Sequence, residues 1–131
     1  MIVGVDRIKD EAVLNAAYDD AEGVTADFNL NILRRMNREL GGDFDLASFR
    51  HRAFYNTDDH RIEMHLESLR AQTVRVAGRS FTFARGETIH TENSYKYTLE
   101  SFRALAQDAG WRPVATWTDE NDYFAVHVLK L

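Results

Sequence analysis

Residues 61–67 read RIEMHLE, and their reading decides the fold. Ile62, Met64 and Leu66 alternate with Glu63, His65 and Glu67. That is the period of a strand with one buried face. Earlier in the chain the period is different. Phe28, Ile32, Leu33, Met36 and Leu40 fall on one helical stripe, which Gly41-Gly42 ends. Helices first and antiparallel strands afterwards define an α+β fold.

Working outward from 61–67, Val74 and Val76, then Phe81 and Phe83, flank Ala77-Gly78 as a hairpin. The stretch GETIHTENSYKYT, 86–98, is rich in Thr and Tyr and reads as a further strand. In it His90, Glu92, Ser94 and Lys96 share one parity, so a regular strand puts them on one polar face. Thr98 caps a last helix carrying Phe102, Leu105, Ala106 and Ala109, stopped by Gly110. Val114 to Thr118 and Tyr123 to Leu131 pair around residues 119–122. Toward the N-terminus, Asp45 caps a short helix with Leu46 and Phe49, and Thr25 is an N-cap candidate for the Phe28 stripe. Asp10 caps a helix to about Asp20, with Val13, Leu14 and Ala17 at helical spacing, and Gly23 breaks it. MIVGVD opens the chain as a strand. In YFAVHVLKL both parities are largely apolar, so that strand is expected to be covered on both faces. These two end segments read as strands from the middle of a larger sheet.

The 131 residues suit one ordinary domain, and 44% hydrophobic content supports a core. A net charge of −5 argues against nucleic acid as the main partner. No apolar run approaches membrane-spanning length, and no signal-peptide pattern is visible. The absence of Cys excludes disulfides, zinc–thiolate sites and a thiol nucleophile. The expected compartment is the cytoplasm.

The seven glycines are scattered, with no G-x-G-x-x-G and no P-loop. Glu63, His65 and Glu67 share a strand face, and His51, His60, His90 and His127 are candidates to complete a metal site there. The competing reading is a charged face paired with Arg and Lys. Ser94 has His90 and Glu92 on its own face, but same-face strand neighbours lie about 6–7 Å apart, too far for a Ser–His pair. The polar face itself has two readings, a solvated surface or a small-molecule recognition face. In the second, Glu92 accepts hydrogen bonds and Ser94 either donates or accepts. Tyr18 reads ordinarily as a helix-face aromatic, Thr25 as a cap and Met64 as core.

The segments AYDDAEGVTADFNLNILRRMNREL, RIEMHL and IHTENSYKY resemble, in order, the histidine-specific methyltransferase family, which includes the Nα-methylating enzymes of ergothioneine biosynthesis. The resemblance runs from GVD at 4–6 to WTDENDYFAVHVL. It implies a Rossmann-like domain that binds S-adenosylmethionine, with an α+β substrate domain inserted late in it. On that pattern residues 1–6 are a strand of an incomplete methyltransferase sheet, 7–94 the substrate-binding insertion, and 95–131 the returning helix and hairpin. Tyr18 matches a tyrosine that binds the substrate carboxylate, and Thr25 a threonine near the amino group. Met64 matches a methionine lining the imidazole site, and Glu92 and Ser94 the pair that recognises the imidazole. No residue is assigned a catalytic, cofactor-binding or metal-binding role. The cofactor is expected in the complete enzyme and not in this chain alone, which lacks the family's glycine-rich loop. The partner is a small amino acid, histidine or related, and neither nucleic acid nor membrane. A homodimer through the terminal strands is expected of the isolated chain. The alternative is a short non-catalytic homologue that binds a small molecule or a protein.

Overall fold

A computed structural model describes residues 1–131. Strand β1 (Ile2–Asp6) is followed by α1 (Glu11–Tyr18), α2 (Val24–Leu40) and a single 3₁₀ turn (Leu46–Ser48). Strands β2 (Phe49–Asn56), β3 (Arg61–Ser68), β4 (Gln72–Val76), β5 (Arg79–Phe83) and β6 (Thr88–Tyr95) follow, then α3 (Leu99–Asp108), β7 (Arg112–Thr118) and β8 (Phe124–Lys130). The architecture is α+β with antiparallel sheets.

There are three sheets, ordered β2-β3-β6, β4-β5 and β1-β8-β7. Ile62, Met64 and Leu66 are buried, as their alternation requires. They point at the two N-terminal helices. Leu14 of α1 packs with Tyr55, Ile62 and Met64. Leu33 of α2 packs with Phe44, Phe49, Leu66 and Val74. The helix caps follow local chemistry. Asp10 accepts from the Ala12 and Val13 N–H groups, and Thr98 and Ser101 form a reciprocal capping box.

Several expectations are corrected. Strand β2 is the central omission. In its residues FRHRAFYN, His51 shares the inner parity of Phe49, Ala53 and Tyr55 while Phe54 falls on the outer one, so the period is hidden. Thr25 does not cap α2. Gly23 occupies the cap, and Asp20 accepts from the Val24 and Thr25 N–H groups at 2.9 Å each. Phe28 is exposed, and its neighbour Asn29 is buried instead. Strand β8 is covered on one face only. Ala125, His127 and Leu129 are buried, while Phe124 is exposed and Val126 and Val128 are partly so.

The two end segments do not stand alone. β1 pairs antiparallel with β8, from Ile2 opposite Val128 to Asp6 opposite Phe124. The Phe124 ring lies across Gly4, where a Cβ would meet it at 2.7 Å. At its far end β1 also meets the segment that follows β6. The Tyr97 N–H donates to the Asp6 carbonyl (3.1 Å), and the Ile8 N–H to the Tyr97 carbonyl (3.1 Å). This junction brings Asp6 beside the end of β6. No helix is long and apolar enough to cross a membrane.

Candidate functional site

The polar face of β6 is divided by a β-bulge. Ser94 pairs with Ile62 and Glu92 with Met64, but the next pairs are His90 with His65 and Ile89 with Leu66. One residue of β3 therefore spans two of β6, and Thr91 is the extra one. Cross-strand partners share a face. Ser94 and Glu92 thus lie with Ile62 and Met64 on the helix-covered face. His90 lies with Glu63 and His65 on the other face. The expected single face of His90, Glu92 and Ser94 does not form, because a bulge shifts the parity by one. Thr91 is anchored by donating its hydroxyl to the Met64 carbonyl (2.9 Å).

On the helix side, Tyr18 closes α1 and meets Ser94 directly, hydroxyl to hydroxyl, at 2.7 Å. Met64 is buried in the cluster against which Tyr18 packs. Glu92 is exposed beside it, and its carboxylate makes no hydrogen bond within the chain. Four of the five candidate residues are therefore assembled around the β3–β6 pair and the end of α1. Thr25 stands apart in the first turn of α2, and no hydrogen bond joins it to the others. Asp20, which holds the Thr25 N–H, has its carboxyl lowered to about 2 by that bond and the Val24 N–H.

The site has supports that sequence reasoning left without a role. Lys96 is buried and donates to the Tyr18 hydroxyl (2.8 Å), to Ser94 (2.8 Å) and to Asp6 (2.9 Å). Its ammonium also lies 4.5 Å from the Tyr18 ring centroid. Asp6 is further held by Lys9 at 2.6 Å. Burial pushes the Asp6 carboxyl upward, but hydrogen bonds from Lys9 and Lys96 outweigh it and hold it below the usual range. Asn29 donates to His51 Nδ1 (3.0 Å) and to the His65 carbonyl (3.2 Å). His51 Nε2–H then donates to the Tyr18 carbonyl (2.8 Å). This relay fixes the end of α1, and with it the direction of the Tyr18 ring. Lys96 was visible in T-E-x-S-x-K as the next residue of the Ser94 parity. Asn29 and His51 gave no such signal, because they meet only through the fold.

The opposite face gathers Glu63, His65 and His90, whose ligand atoms lie within 4.8 Å of one another. The Glu63 carboxylate is already engaged. It accepts from Asn56 (2.9 Å), from Arg61 (2.6 and 2.9 Å) and from His65 Nε2 (3.1 Å). The His65 and His90 rings stack at 4.4 Å, 18° from parallel, so their in-plane lone pairs do not converge. Glu67 pairs with Arg50. The face is built as a network of charge pairs and stacked rings. A concavity of about 360 Å³ between α3 and β7 is lined by Arg103, Gln107 and Thr116, and neither Ser94 nor Glu92 lines it.

The glycines form no cofactor cradle. Gly23, Gly41, Gly78, Gly86 and Gly110 are left-handed positions at helix ends and turns. Gly4 and Gly42 are filled in by Phe124 and Asn37.

A model of the family described as histidine-specific methyltransferase, SAM-dependent, matches residues 1–131. The chain is 48% identical over 121 residues to the histidine N-alpha-methyltransferase of Mycolicibacterium smegmatis, covering 91% of this chain and 38% of that protein. It is 42% identical over 128 residues to the enzyme of the same name from Mycobacterium tuberculosis, covering 96% of this chain and 40% of that one. It is 32% identical over 143 residues to ergothioneine biosynthesis protein 1 of Neurospora crassa, covering 98% of this chain and 14% of the fungal protein. The chain thus spans about two-fifths of the length of the two bacterial relatives. It belongs to the histidine-specific, S-adenosylmethionine-dependent methyltransferase family.

Proposed function

We propose that this chain is the C-terminal, amino-acid-binding part of an S-adenosylmethionine-dependent N-methyltransferase acting on the α-amino group of histidine in the cytoplasm. Residues 7–94 form the substrate-binding insertion, and 1–6 with 95–131 belong to the methyltransferase sheet. The observation that carries the reading is the Tyr18–Ser94 contact beside a free Glu92 carboxylate, on a face that also holds Met64. It is supported by relatives named as histidine N-alpha-methyltransferases.

The chemistry asks little of this chain beyond placement. Methyl transfer to nitrogen is an in-line displacement that needs a neutral amine held against the donor. Glu92 and Ser94 take the two imidazole nitrogens, Tyr18 the carboxylate, and Thr25 stands near the amino group. The methyl donor is S-adenosylmethionine, and its cradle lies outside this chain. Alone, the chain self-associates as a two-fold dimer through its terminal strands.

Calorimetric titration with histidine tests the assignment. Glu92→Ala is expected to weaken binding by about tenfold or more, since a hydrogen bond to a charged group contributes about 1.5–3 kcal/mol. Unchanged affinity in that variant overturns the imidazole assignment.

A further inference from the structure

Charge is segregated along this chain. Residues 70–87 carry Arg70, Arg75, Arg79 and Arg85 against Glu87 alone, which is +3 within a chain of −5, so the remainder carries −8. This basic segment is the β4-β5 hairpin. It reaches the core through Val74, which packs with Leu33, Phe44 and Leu66, a different cluster from that of Tyr18 and Met64. Arg70 is paired with Asp45 at 3.0 Å. Arg75, Arg79 and Arg85 are exposed, and none of them forms an ion pair within the chain.

The two edges of the hairpin differ. The β4 edge is closed by the segment that follows α2. The Asp43 N–H donates to the Arg75 carbonyl (3.1 Å), the Arg75 N–H to the Asp43 carboxylate (2.7 Å) and the Ala77 N–H to the Leu40 carbonyl (3.0 Å). The β5 edge has no such cover. The sheet ends at β5, and outside the β4–β5 ladder no hydrogen bond reaches the backbone of residues 79–83. Every residue of β5 except Phe83 is exposed. Among them is Phe81, with the Arg79 guanidinium 5.5 Å from its ring centroid. A row of unpaired N–H and C=O groups is a template for another strand.

Charge decides which strand fits. Arg79 opens β5 and Arg85 lies just past its end, so cations bracket an edge about 17 Å long. Arg75 lies opposite Ser80 across the ladder. A second copy of the same edge would bring like charges together, which keeps such an edge from pairing with itself. An acidic strand meets opposite charge at both ends. Nucleic acid or an anionic membrane extends past the hairpin and would meet the −8 of the remainder, whereas a short peptide segment does not. We infer that the β5 edge is a docking edge for an extended, acidic peptide segment of a partner protein, which adds to the hairpin as a third strand. Main-chain hydrogen bonds hold the segment, and Arg75, Arg79 and Arg85 select its charge.

The test is NMR titration of the isotopically labelled chain with the end-blocked peptide Glu-Val-Glu-Val-Glu-Val-Glu. The expected result is saturable amide shifts over residues 79–83, with slowed hydrogen exchange there, at peptide concentrations up to on the order of 1 mM. Shifts that do not saturate, or that lie elsewhere, overturn the inference. The same peptide with Lys in place of Glu is expected to bind about tenfold more weakly or worse. So is the acidic peptide to a chain carrying Arg75→Glu, Arg79→Glu and Arg85→Glu together, whose three exposed charges are individually weak and jointly decisive. Equal binding in either comparison shows that charge does not select the partner, and overturns the inference. An acidic peptide N-methylated throughout keeps its charge but has no N–H to give, and is expected to lose about tenfold. Undiminished binding of that peptide overturns strand addition. Phosphatidylserine vesicles or a single-stranded RNA oligomer that shift the same amides while the acidic peptide does not overturn the peptide as occupant.

Discussion

The Lys96 ammonium lies 2.9 Å from the Asp6 carboxylate and joins the terminal sheet to the site. Removing one partner of a buried ion pair costs about 3–5 kcal/mol. Asp6 is partly exposed and keeps Lys9, so Asp6→Asn is expected near or below the lower end of that range. Urea denaturation of Asp6→Asn, Lys96→Met and the double variant measures the coupling. The double variant is expected to lose clearly less than the sum of the two. Additive losses would show that the pair does not hold the sheet to the site.

Acid should loosen the outer face of the β2-β3-β6 sheet. Glu63 is held at about 2, from an ordinary 4.5, by hydrogen bonds from Asn56, Arg61 and His65. Its folded value is the depressed one, so its contribution is present above about pH 4.5 and is lost as pH falls toward 2. Glu63→Gln is expected to lower the melting temperature at pH 7, and the gap to the unaltered chain should close in that window. A gap that stays constant down to pH 2 would mean that the carboxylate contributes nothing through its charge.

His127 acts in the same direction, in a higher pH window. Its buried ring, near Arg103, has its pKa lowered by desolvation first and by that charge second. The unfolded chain takes up the proton first, so stability falls as pH drops below the ordinary value of about 6.5. His127→Gln is expected to remove that part of the pH dependence. Thermal melts between pH 5 and 8 that are parallel for both proteins would contradict this.

The fold was legible where one period dominated. Ile62, Met64 and Leu66 gave β3, and Ala77-Gly78 gave the β4-β5 hairpin, because apolar spacing there is unambiguous. β2 was not legible, because His51 on its inner parity and Phe54 on its outer one interrupt the pattern. Of the site, Glu92 and Ser94 were placed together correctly, but His90 was not. Strand parity assumes a regular strand, and the Thr91 bulge depends on pairing that only the folded sheet supplies. Lys96 belonged to the right parity. Its role depends on Asp6, distant in sequence, which arrives through the β1–Tyr97 junction.

Self-association should show in light scattering. Ile2, Val114, Trp117 and Phe124 are exposed on the terminal sheet, and β1 and β7 are its edge strands. Exposed apolar groups beside unpaired strand edges recruit a second copy. A dimer is expected at tens of micromolar, and Trp117→Lys should shift it toward monomer. A monomer at that concentration would contradict the proposed pairing.

The central claim is that one face, that of Tyr18, Met64, Glu92 and Ser94, reads a histidine. NMR titration of the isotopically labelled chain with histidine tests it most directly. The expected result is saturable shifts of the Met64 methyl and of the Tyr18, Glu92 and Ser94 amides, with His65 and Asn93 on the opposite face unmoved. Shifts confined to the Glu63–His65–His90 face, or none at saturating histidine, would contradict it.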